Sequence, residues 1–435
     1  MARFGELVVE LRRLFAQFPD PRTGKNTRYS MEDAALGAFS VFFTQSPSFL
    51  AFQRSMQAAK GQSNAQTLFG MHQIPTDNHI RKLLDGVAPA YVLPMFEKIF
   101  TRLLDLGYLE PFRSINHHLL VLLDGTQYHS SKKIHCAQCT ERHHGNGQIT
   151  YSHSAITPVI AAPGQRSVIA LEPEFITPQD GHHKQDCENA AAKRWIAQHG
   201  ARFSALGATV LGDDLYSRQP LCEAILAQGL SFLLVCKPNS HKCLYEWVAG
   251  LERSGAVQQR VERRRRGKGT EIDTYRFVNH VPLREGANAL EVNWCELTTT
   301  GPDGRIRYHN GLITNHLITW ENVPEMVGAG RARWKIENEN NNTLKTKGYH
   351  LSHNFGHGEQ HLSALLATLN LLAFLFHTVL GMSDAKYQLI RQKLPSRKTF
   401  FNDIRALTRY LCFESWDSLL EFMLRGLELE APDTS

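Results

Sequence analysis

The sequence predicts an α/β protein with a helical region ahead of its sheet. Between residues 118 and 237, short apolar segments rich in β-branched residues alternate with segments of helical periodicity, a pattern typical of an α/β sheet. Residues 1–112 have apolar residues at helical spacing without strand-like alternation, which indicates an all-α region. Residues 239–325 contain strand-like segments separated by Gly, Asn and Pro, which predicts a β-rich insertion.

The chain is long enough for several domains. Its 435 residues correspond to two or three domains, and its hydrophobic content of 42% allows a substantial core. The predicted segments are 1–112 (helical N-terminal domain), 113–238 (first part of the α/β core), 239–325 (β-rich insertion), 326–380 (last part of the core) and 381–435 (helical, basic C-terminal tail).

Helices in the amino-terminal region are predicted from periodicity and capping. Apolar residues of the segment 7–15 fall on one helical face. Ser30 precedes a predicted helix over residues 31–43, and Asp33 is the third helical residue in a weak capping box. A small helical domain with basic residues can bind DNA ends, but packing or dimerisation explains the same pattern equally well.

The predicted core alternates strands and helices. A later apolar segment, 362–380, is interrupted by polar residues, so it is predicted to be a buried helix and not a membrane span. The predicted strands are Leu119–Leu123, Ser154–Ala161, Ser167–Phe175, Thr209–Gly212 and Phe232–Val235, and the predicted helices are Lys184–His199 and Pro220–Gln228.

Three acidic residues occupy positions where an α/β sheet commonly carries its ligands. Asp124 follows the first predicted strand and Asp213 follows the fourth. The carboxyl ends of neighbouring strands meet at one edge of such a sheet, so these two side chains are expected to be close together. Glu337 lies in a segment rich in helix-forming residues, 331–339, and is predicted to lie on a helix.

Convergent carboxylates favour a metal site. They repel one another and lose solvation unless cations neutralise them, and hard oxygen ligands suit Mg²⁺ or Mn²⁺. Two such ions about 4 Å apart can hold both oxygens of a phosphodiester displacement. The residues leave alternatives open: Asp124 as a turn residue that caps a strand, Asp214 in place of Asp213, and Glu339 in place of Glu337.

A second group of ligand-type residues lies between the first two predicted strands. Cys136-x-x-Cys139 followed by histidines has the spacing of a zinc knuckle. The alternative is a polar loop with two ordinary thiols, because the spacings are short and no second Cys-x-x-Cys occurs. The predicted ligands of a structural zinc ion are Cys136, Cys139 and two of the histidines His135, His143, His144 and His153, with His143 and His144 as the assigned pair; the further candidates are His182, His183 and Cys187.

The charge of the chain allows a polyanionic partner without requiring one. Lys and Arg number 48 against 42 Asp and Glu, a net charge of +6. A dense basic run in the predicted insertion forms either a solvated face or a contact with DNA phosphates. The candidate DNA-binding residues are Arg263, Arg264, Arg265, Arg266 and Lys268.

The order of the acidic motifs resembles that of the DDE transposases of bacterial insertion sequences. In this chain the order is strand and Asp124, strand and Asp213 with Tyr216 three residues later, then Arg-Trp-Lys-Ile-Glu ending at Glu337. The phrases Trp-Lys-Ile-Glu-Asn-Glu and Gly-Tyr-x-Leu-x-His resemble a poorly classified subgroup of that superfamily. The resemblance covers about residues 115–375, and it implies an RNase H-like catalytic core interrupted by the β-rich insertion before the last catalytic helix.

The resemblance also implies an activity and a set of catalytic residues. It implies that Asp124, Asp213 and Glu337 bind Mg²⁺ or Mn²⁺ during DNA cleavage and strand transfer, with Arg333 and Lys345 as further catalytic residues. The implied partners are double-stranded DNA, as transposon ends and as target, and a second copy of the chain in the DNA complex.

Two positions depart from the family pattern. Members of the family often have Tyr three residues before the arginine, where this chain has Gly330. They have Lys seven residues beyond the glutamate, whereas Lys345 lies eight residues beyond Glu337. This offset keeps Glu339 open as the third metal ligand.

Two other functions fit the same residues. One is an RNase H-like metal-dependent nuclease that cuts without joining, and the other is an inactive, domesticated DNA-binding protein. The presence of all three acids counts against the second. Because no signal peptide is recognised and the eight cysteines are scattered, the chain is expected to act on DNA in a bacterial cytoplasm, without a membrane partner.

Overall fold

The computed structural model describes residues 4–23, 27–178, 186–267 and 269–430. The amino-terminal region is helical, as predicted. Ser30 caps the second helix, where its hydroxyl accepts a hydrogen bond of 2.9 Å from the Asp33 N–H. The helices of this region are α1 (Phe4–Phe15), α2 (Met31–Phe43), α3 (Phe49–Gln57), α4 (Ala59–Phe69), α5 (Asp77–Leu84) and α6 (Leu93–Asp105).

The region that follows has seven consecutive strands and then alternates helices with strands, which confirms the mixed α/β class. Its elements are β1 (Leu119–Leu122), β2 (Gly125–Ser131), β3 (Thr140–His143), β4 (Ile149–Ile156), β5 (Val159–Ala161), β6 (Ile169–Ala170), β7 (Glu174–Ile176), α7 (Glu188–Ala205), β8 (Ala208–Gly212), α8 (Gln219–Ala227) and β9 (Ser231–Val235).

The remaining elements comprise a helix with four long strands and then helices alone. They are α9 (Lys242–Arg253), β10 (Gln258–Arg266), β11 (Gly269–Pro282), β12 (Glu291–Thr300), β13 (Ile306–Thr314), α10 (Val323–Arg331), a π-helical turn (Ile336–Asn341), α11 (Asn342–Thr346), α12 (Leu362–Ser383), α13 (Ala385–Lys393), α14 (Arg397–Tyr410) and α15 (Trp416–Gly426).

A nine-stranded mixed sheet forms the centre of the fold. Its order is β10-β11-β12-β13-β9-β8-β1-β5-β6, and β1, β8 and β9 run parallel to one another. All the residues of β1 and β8 are buried, as expected for strands covered on both faces. The carboxyl ends of β1 and β8 therefore open at the same edge of the sheet.

Two predicted strands are each divided by a proline. The prediction over residues 154–161 contains Pro158, and the chain there passes from β4, in a second sheet, to β5, in the main sheet. The prediction over residues 167–175 contains Pro173, and it resolves into β6 and β7. Proline has no N–H to donate to a sheet, so it separates strands that apolar periodicity alone would join. The second sheet contains β2, β3, β4 and β7.

The predicted β-rich insertion extends the main sheet. β13 pairs antiparallel with β9, and β12, β11 and β10 follow outward as a meander. The arginine-rich segment forms β10, which is an edge strand. With neighbouring strands about 4.8 Å apart, β10 lies roughly 29 Å from β1 across the sheet.

The helix α12 is the most apolar of the described helices that are long enough to cross a membrane. Its length and composition would suit a membrane span, but 83% of its most apolar window is buried within the protein. It packs against α2 and β6. This is the environment of a core helix, in agreement with the sequence prediction.

The amino- and carboxy-terminal helices share one hydrophobic core with the sheet. The fully buried Asn64 of α4 donates to the carbonyl oxygens of Thr408 and Leu411, both at 2.6 Å, and accepts from the Phe413 N–H. Arg405 donates to the carbonyl oxygens that follow α2. The core is therefore continuous across the segment boundaries that composition suggested.

Candidate functional site

Asp124 lies where β1 leaves the sheet. Leu122 of β1 is opposite Leu211 of the parallel strand β8, so Asp124 and Asp213 emerge at the same edge. The Asp124 carbonyl oxygen accepts a hydrogen bond of 3.1 Å from the Thr157 N–H, just beyond β4. The backbone of Asp124 is thus fixed between the two sheets.

The carboxyl group of Asp124 lies among other carboxylates. Its pKa is raised to about 7, mainly by burial and further by the negative charges of Glu188, Glu337 and Asp213. The positive charge of Arg333 lowers this pKa. Asp213 and Glu337 are therefore both within electrostatic range of Asp124, together with Glu188, which the sequence analysis missed.

Four side chains from the segment between α10 and α12 lie toward Asp124, and they are spaced four residues apart in the sequence. They are Arg333, Glu337, Asn341 and Lys345. Arg333 pairs with Glu337 at 2.5 Å, and Asn341 Nδ2 donates to Asp124 Oδ2 at 2.8 Å. The charge of Asp124 raises the pKa of the half-buried Lys345, although burial lowers it more. This spacing produces one stripe that faces Asp124.

A π-helical turn lies within this stripe. The N–H of Asn342 donates to the carbonyl oxygen of Glu337, a bond to the fifth preceding residue where an α-helix would use the fourth. The wider turn accommodates one additional residue between Glu337 and Lys345. As a result, two residues that are eight apart in sequence face the same side.

Two buried amides hold Asp124 in position. Asn341, which donates to the Asp124 carboxylate, accepts a hydrogen bond of 2.7 Å from the Thr157 hydroxyl. Asn340 donates to the same hydroxyl at 3.1 Å. Sequence reasoning missed these residues, because amide side chains in a helical segment carry no distinctive spacing and only the Asn340–Asn342 run marks them.

Glu188 is the fourth carboxylate at this edge. It is the first residue of α7, and it accepts a hydrogen bond of 3.2 Å from the buried Tyr216 hydroxyl. Its carboxyl carbon would be 2.3 Å from a Cβ atom at position 125, so only Gly125 permits this approach. In the sequence, Glu188 is indistinguishable from an acidic residue that stabilises a helix N-terminus.

The two adjacent aspartates have different environments. Asp213 Oδ1 accepts from the Leu215 N–H at 2.8 Å, and its charge raises the pKa values of Asp124 and Glu188. Asp214 Oδ1 accepts from the Lys237 N–H at 2.7 Å and from the Ser240 hydroxyl at 2.6 Å. Asp214 thus connects β8 to the loop after β9.

Glu339 faces a different part of the protein from Glu337. Its charge raises the pKa of Arg397, a partly buried residue at the start of α14 whose guanidinium also donates to the Tyr349 hydroxyl at 2.5 Å. Glu339 is not among the groups that shift the pKa of Asp124. Its charge therefore acts on α14.

A cluster of two cysteines and two histidines lies beside the second sheet. Cys136 and Cys139 follow β2, His153 is on β4, and His357 precedes α12. Among the described residues this is the one group of at least three such side chains whose ligand atoms all lie within 4.8 Å of one another. The carboxylates around Asp124 are therefore more widely spaced.

The other histidines predicted as zinc ligands lie outside this cluster. His143 is exposed and contacts Glu141 at 3.3 Å, and His144 Nε2 is 2.8 Å from the Thr150 hydroxyl. In the structure the two histidines of the cluster are thus His153 and His357, and not the assigned pair His143 and His144. The remaining candidates divide as follows: His135 stacks on Tyr151, Cys187 is exposed, and His182 and His183 lie outside the described residues.

The arginines of β10 point to both faces of the strand. Arg264 pairs with the buried Asp273, and Arg260 pairs with Glu262 at 2.6 Å. Arg263 and Arg265 are exposed on the other face, and neither has an acidic partner within the described part of the chain. The Arg266 side chain and Lys268 lie outside the described residues.

No protein-family model matches the chain, and no curated protein matches it significantly.

Proposed function

We propose that the chain is a DDE-type DNA transposase that binds the ends of an insertion sequence and catalyses their cleavage and strand transfer in the bacterial cytoplasm. The observation that carries this proposal is the arrangement around Asp124. The carboxylates of Glu188, of Glu337 in the helical segment, and of Asp213 at the neighbouring parallel strand end all act on the partly buried carboxyl group of Asp124. The predicted order of acids along the chain and this convergence in space support the same class of enzyme.

The strand order supports an RNase H-like core for this enzyme. β6, β5, β1, β8 and β9 are consecutive in the sheet, with β5 and β6 antiparallel to their neighbours and β8 and β9 parallel to β1. This part of the nine-stranded sheet thus has three strands paired antiparallel from the first half of the core and two crossover strands from the second. The meander β10–β13 continues beyond β9, before the glutamate-bearing helical segment.

The residues at the sheet edge fit a divalent metal by their chemistry. They supply hard carboxylate oxygens, which Mg²⁺ and Mn²⁺ prefer. The pKa of Asp124 is raised to about 7, first by burial and then by the negative charges of Glu188, Glu337 and Asp213, against which Arg333 acts. Asp124, Asp213 and Glu337 would hold the ions, which when bound activate the attacking hydroxyl group and stabilise the leaving oxygen.

The other residues of the site have positioning roles in this proposal. Asn341 holds the Asp124 carboxylate by its 2.8 Å hydrogen bond, and Arg333 orients Glu337. Lys345 lies near Asp124 and supplies a cation for a DNA phosphate. At Gly330, where the family pattern has tyrosine, a Cβ atom would be 2.4 Å from the end of the Leu312 side chain of β13, so a larger residue would require that side chain to move.

Strand transfer distinguishes a transposase from the two alternative functions. Duplexes that carry the inverted repeats flanking the coding region, with pre-cut 3′-hydroxyl ends, should be joined to plasmid DNA in Mg²⁺. Ends that lack the 3′-hydroxyl group should bind equally well but fail to join. Cutting without joining would identify a nuclease, whereas binding without either reaction would identify a DNA-binding protein.

The exposed face of β10 is the proposed contact with DNA phosphates away from the catalytic edge. Changing both Arg263 and Arg265 to Ala should weaken binding to all DNA sequences. Each lost phosphate contact should make the slope of log affinity against log salt less negative by about 0.9. Binding measured by fluorescence anisotropy across a salt series tests this.

A matched double variant controls for net charge. Arg305 immediately precedes β13 and Arg307 lies on it, but both have Asp303 as an acidic partner, at 4.0 and 2.8 Å. Changing both to Ala removes the same charge and should alter the salt slope less. Equal slopes for the two double variants would contradict a specific DNA role for the exposed face of β10.

A further inference from the structure

We infer that Cys136, Cys139, His153 and His357 bind a structural zinc ion that connects the second sheet to the loop before α12. This site is independent of the proposed transposase activity, because none of its four residues belongs to the carboxylate site. Its evidence is the geometry of the four side chains, their burial, and the distance in sequence that the cluster spans.

The spacing of the ligand atoms suits tetrahedral coordination. Cys136 Sγ and Cys139 Sγ are 3.6 and 3.4 Å from His153 Nε2, and Cys139 Sγ is 3.7 Å from His357 Nε2. Zinc bonds of about 2.3 Å to sulfur and 2.0–2.1 Å to nitrogen, at tetrahedral angles, give sulfur–nitrogen separations of about 3.5–3.6 Å. Three of the six separations are close to this value, and all four ligand atoms lie within 4.8 Å of one another.

Both cysteines are free thiols in a short turn. The Cys139 N–H donates to the Cys136 carbonyl oxygen at 3.1 Å, which brings both side chains to the same side. Two sulfur and two nitrogen donors in a single tetrahedral group favour zinc over magnesium or manganese, which prefer oxygen.

Burial of the cluster also favours a bound ion. Cys139, His153 and His357 are all less than a tenth exposed, and the polar contacts that Nε2 of each histidine makes in the cluster are with cysteine sulfur atoms, which are weak hydrogen-bonding groups. Buried polar groups need strong partners, and a metal bond at Nε2 would supply one for that nitrogen of each imidazole.

The ion would join parts of the chain that are distant in sequence. Cys139 and His357 are 218 residues apart. The loop that carries His357 is also held by Asp85 of the amino-terminal region, whose carboxylate accepts from the N–H groups of Glu359 and Leu362 at 2.9 and 3.2 Å. A zinc bond at His357 would therefore fix the second sheet, which begins directly after Asp124, against the helical region.

The test measures metal content and not DNA cleavage. The full chain, purified after zinc-supplemented expression, should contain one zinc ion by plasma mass spectrometry. Cys139→Ser and His357→Gln should each lose it, and a strong chelator should lower the melting temperature of the wild-type protein, because the ion stabilises only the folded state. His143→Gln and Cys412→Ser, at an exposed histidine and an exposed cysteine, should retain the zinc and the melting temperature.

Replacement of zinc by Co²⁺ covers the case in which a ligand variant fails to fold. The wild-type protein should then show the visible absorption of a tetrahedral site with thiolate ligands, and His143→Gln should show the same spectrum. A zinc-free wild-type chain, a Cys136–Cys139 disulfide in the purified protein, or loss of zinc from His143→Gln with retention in His357→Gln would each overturn the inference. None of these outcomes bears on the carboxylate site, so the two proposals can fail separately.

Discussion

Asp124→Asn should abolish Mg²⁺-dependent strand cleavage, with a fall of several orders of magnitude, while DNA binding survives. The substitution preserves size and removes the negative charge on which the proposed metal site depends. Asn341 donates to the carboxylate at 2.8 Å, and the amide oxygen of the substituted side chain can accept the same bond, so the local structure should be maintained. Cleavage of labelled end duplexes in Mg²⁺, with binding measured on the same DNA, tests the expectation.

The adjacent aspartates provide a matched pair for this experiment. Asp213→Asn should lose cleavage as Asp124→Asn does, because Asp213 contributes to the charge around Asp124. Asp214→Asn should retain most of the cleavage activity, since Asp214 accepts hydrogen bonds from the Lys237 N–H and the Ser240 hydroxyl. Normal cleavage by both Asp124→Asn and Asp213→Asn would refute the transposase proposal.

A second readout for Asp124 is the stability of the metal-free protein. The folded chain keeps the Asp124 proton up to a pKa of about 7, whereas the unfolded chain loses it near pH 4. The folded state therefore binds more protons between these values, and the free energy of unfolding should fall as the pH rises through this window. Asp124→Asn should lose this part of the decline, so its free energy of unfolding relative to that of wild type should increase toward pH 8. Mg²⁺ should stabilise wild type and not the variant.

Sequence patterns predicted those parts of the site that depend on local structure. Asp124 and Asp213 each follow an apolar strand, and strand ends in an α/β sheet share an edge, so their proximity could be anticipated from order alone. Glu337 could be assigned to a helical segment by composition. Glu188 could not be identified, since an acidic residue at the start of a helix has an ordinary structural explanation.

Contacts between distant segments could not be predicted in the same way. The sequence placed the zinc ligands within one loop, because spacing relates only neighbouring residues, and His357 enters the cluster from 218 residues away. The helical region was likewise predicted, but its shared core with the carboxy-terminal helices depends on long-range contacts such as those of Asn64 with Thr408 and Phe413. Periodicity identifies an apolar face without indicating what covers it.

The other prediction with a large expected effect concerns which glutamate is the third acid of the site. Glu337→Gln should abolish cleavage, whereas Glu339→Gln should retain it. The family spacing left the choice open, because Lys345 lies eight residues beyond Glu337 and not seven. The π-helical turn accommodates the additional residue, so Glu337 and Lys345 share the face toward Asp124 despite the offset.

The surroundings of the two glutamates lead to different expected defects. Glu337 pairs with Arg333 at 2.5 Å and raises the pKa of Asp124, so its loss should reduce cleavage with little change in melting temperature. The charge of Glu339 acts on the partly buried Arg397. Glu339→Gln should therefore lower the melting temperature, because a partly buried cation loses part of its compensation, while the carboxylate site remains complete.

Both variants should be assayed side by side for cleavage in Mg²⁺ and in Mn²⁺, with thermal melting of each protein as the control for folding. Loss of cleavage in Glu337→Gln alone, at a normal melting temperature, is the expected result. If only Glu339→Gln loses cleavage while it stays folded, the stripe of Arg333, Glu337, Asn341 and Lys345 is not the ligand-bearing face. Arg333 would then have no role in orienting the third ligand, and the additional residue in the π-helical turn would not explain the family offset.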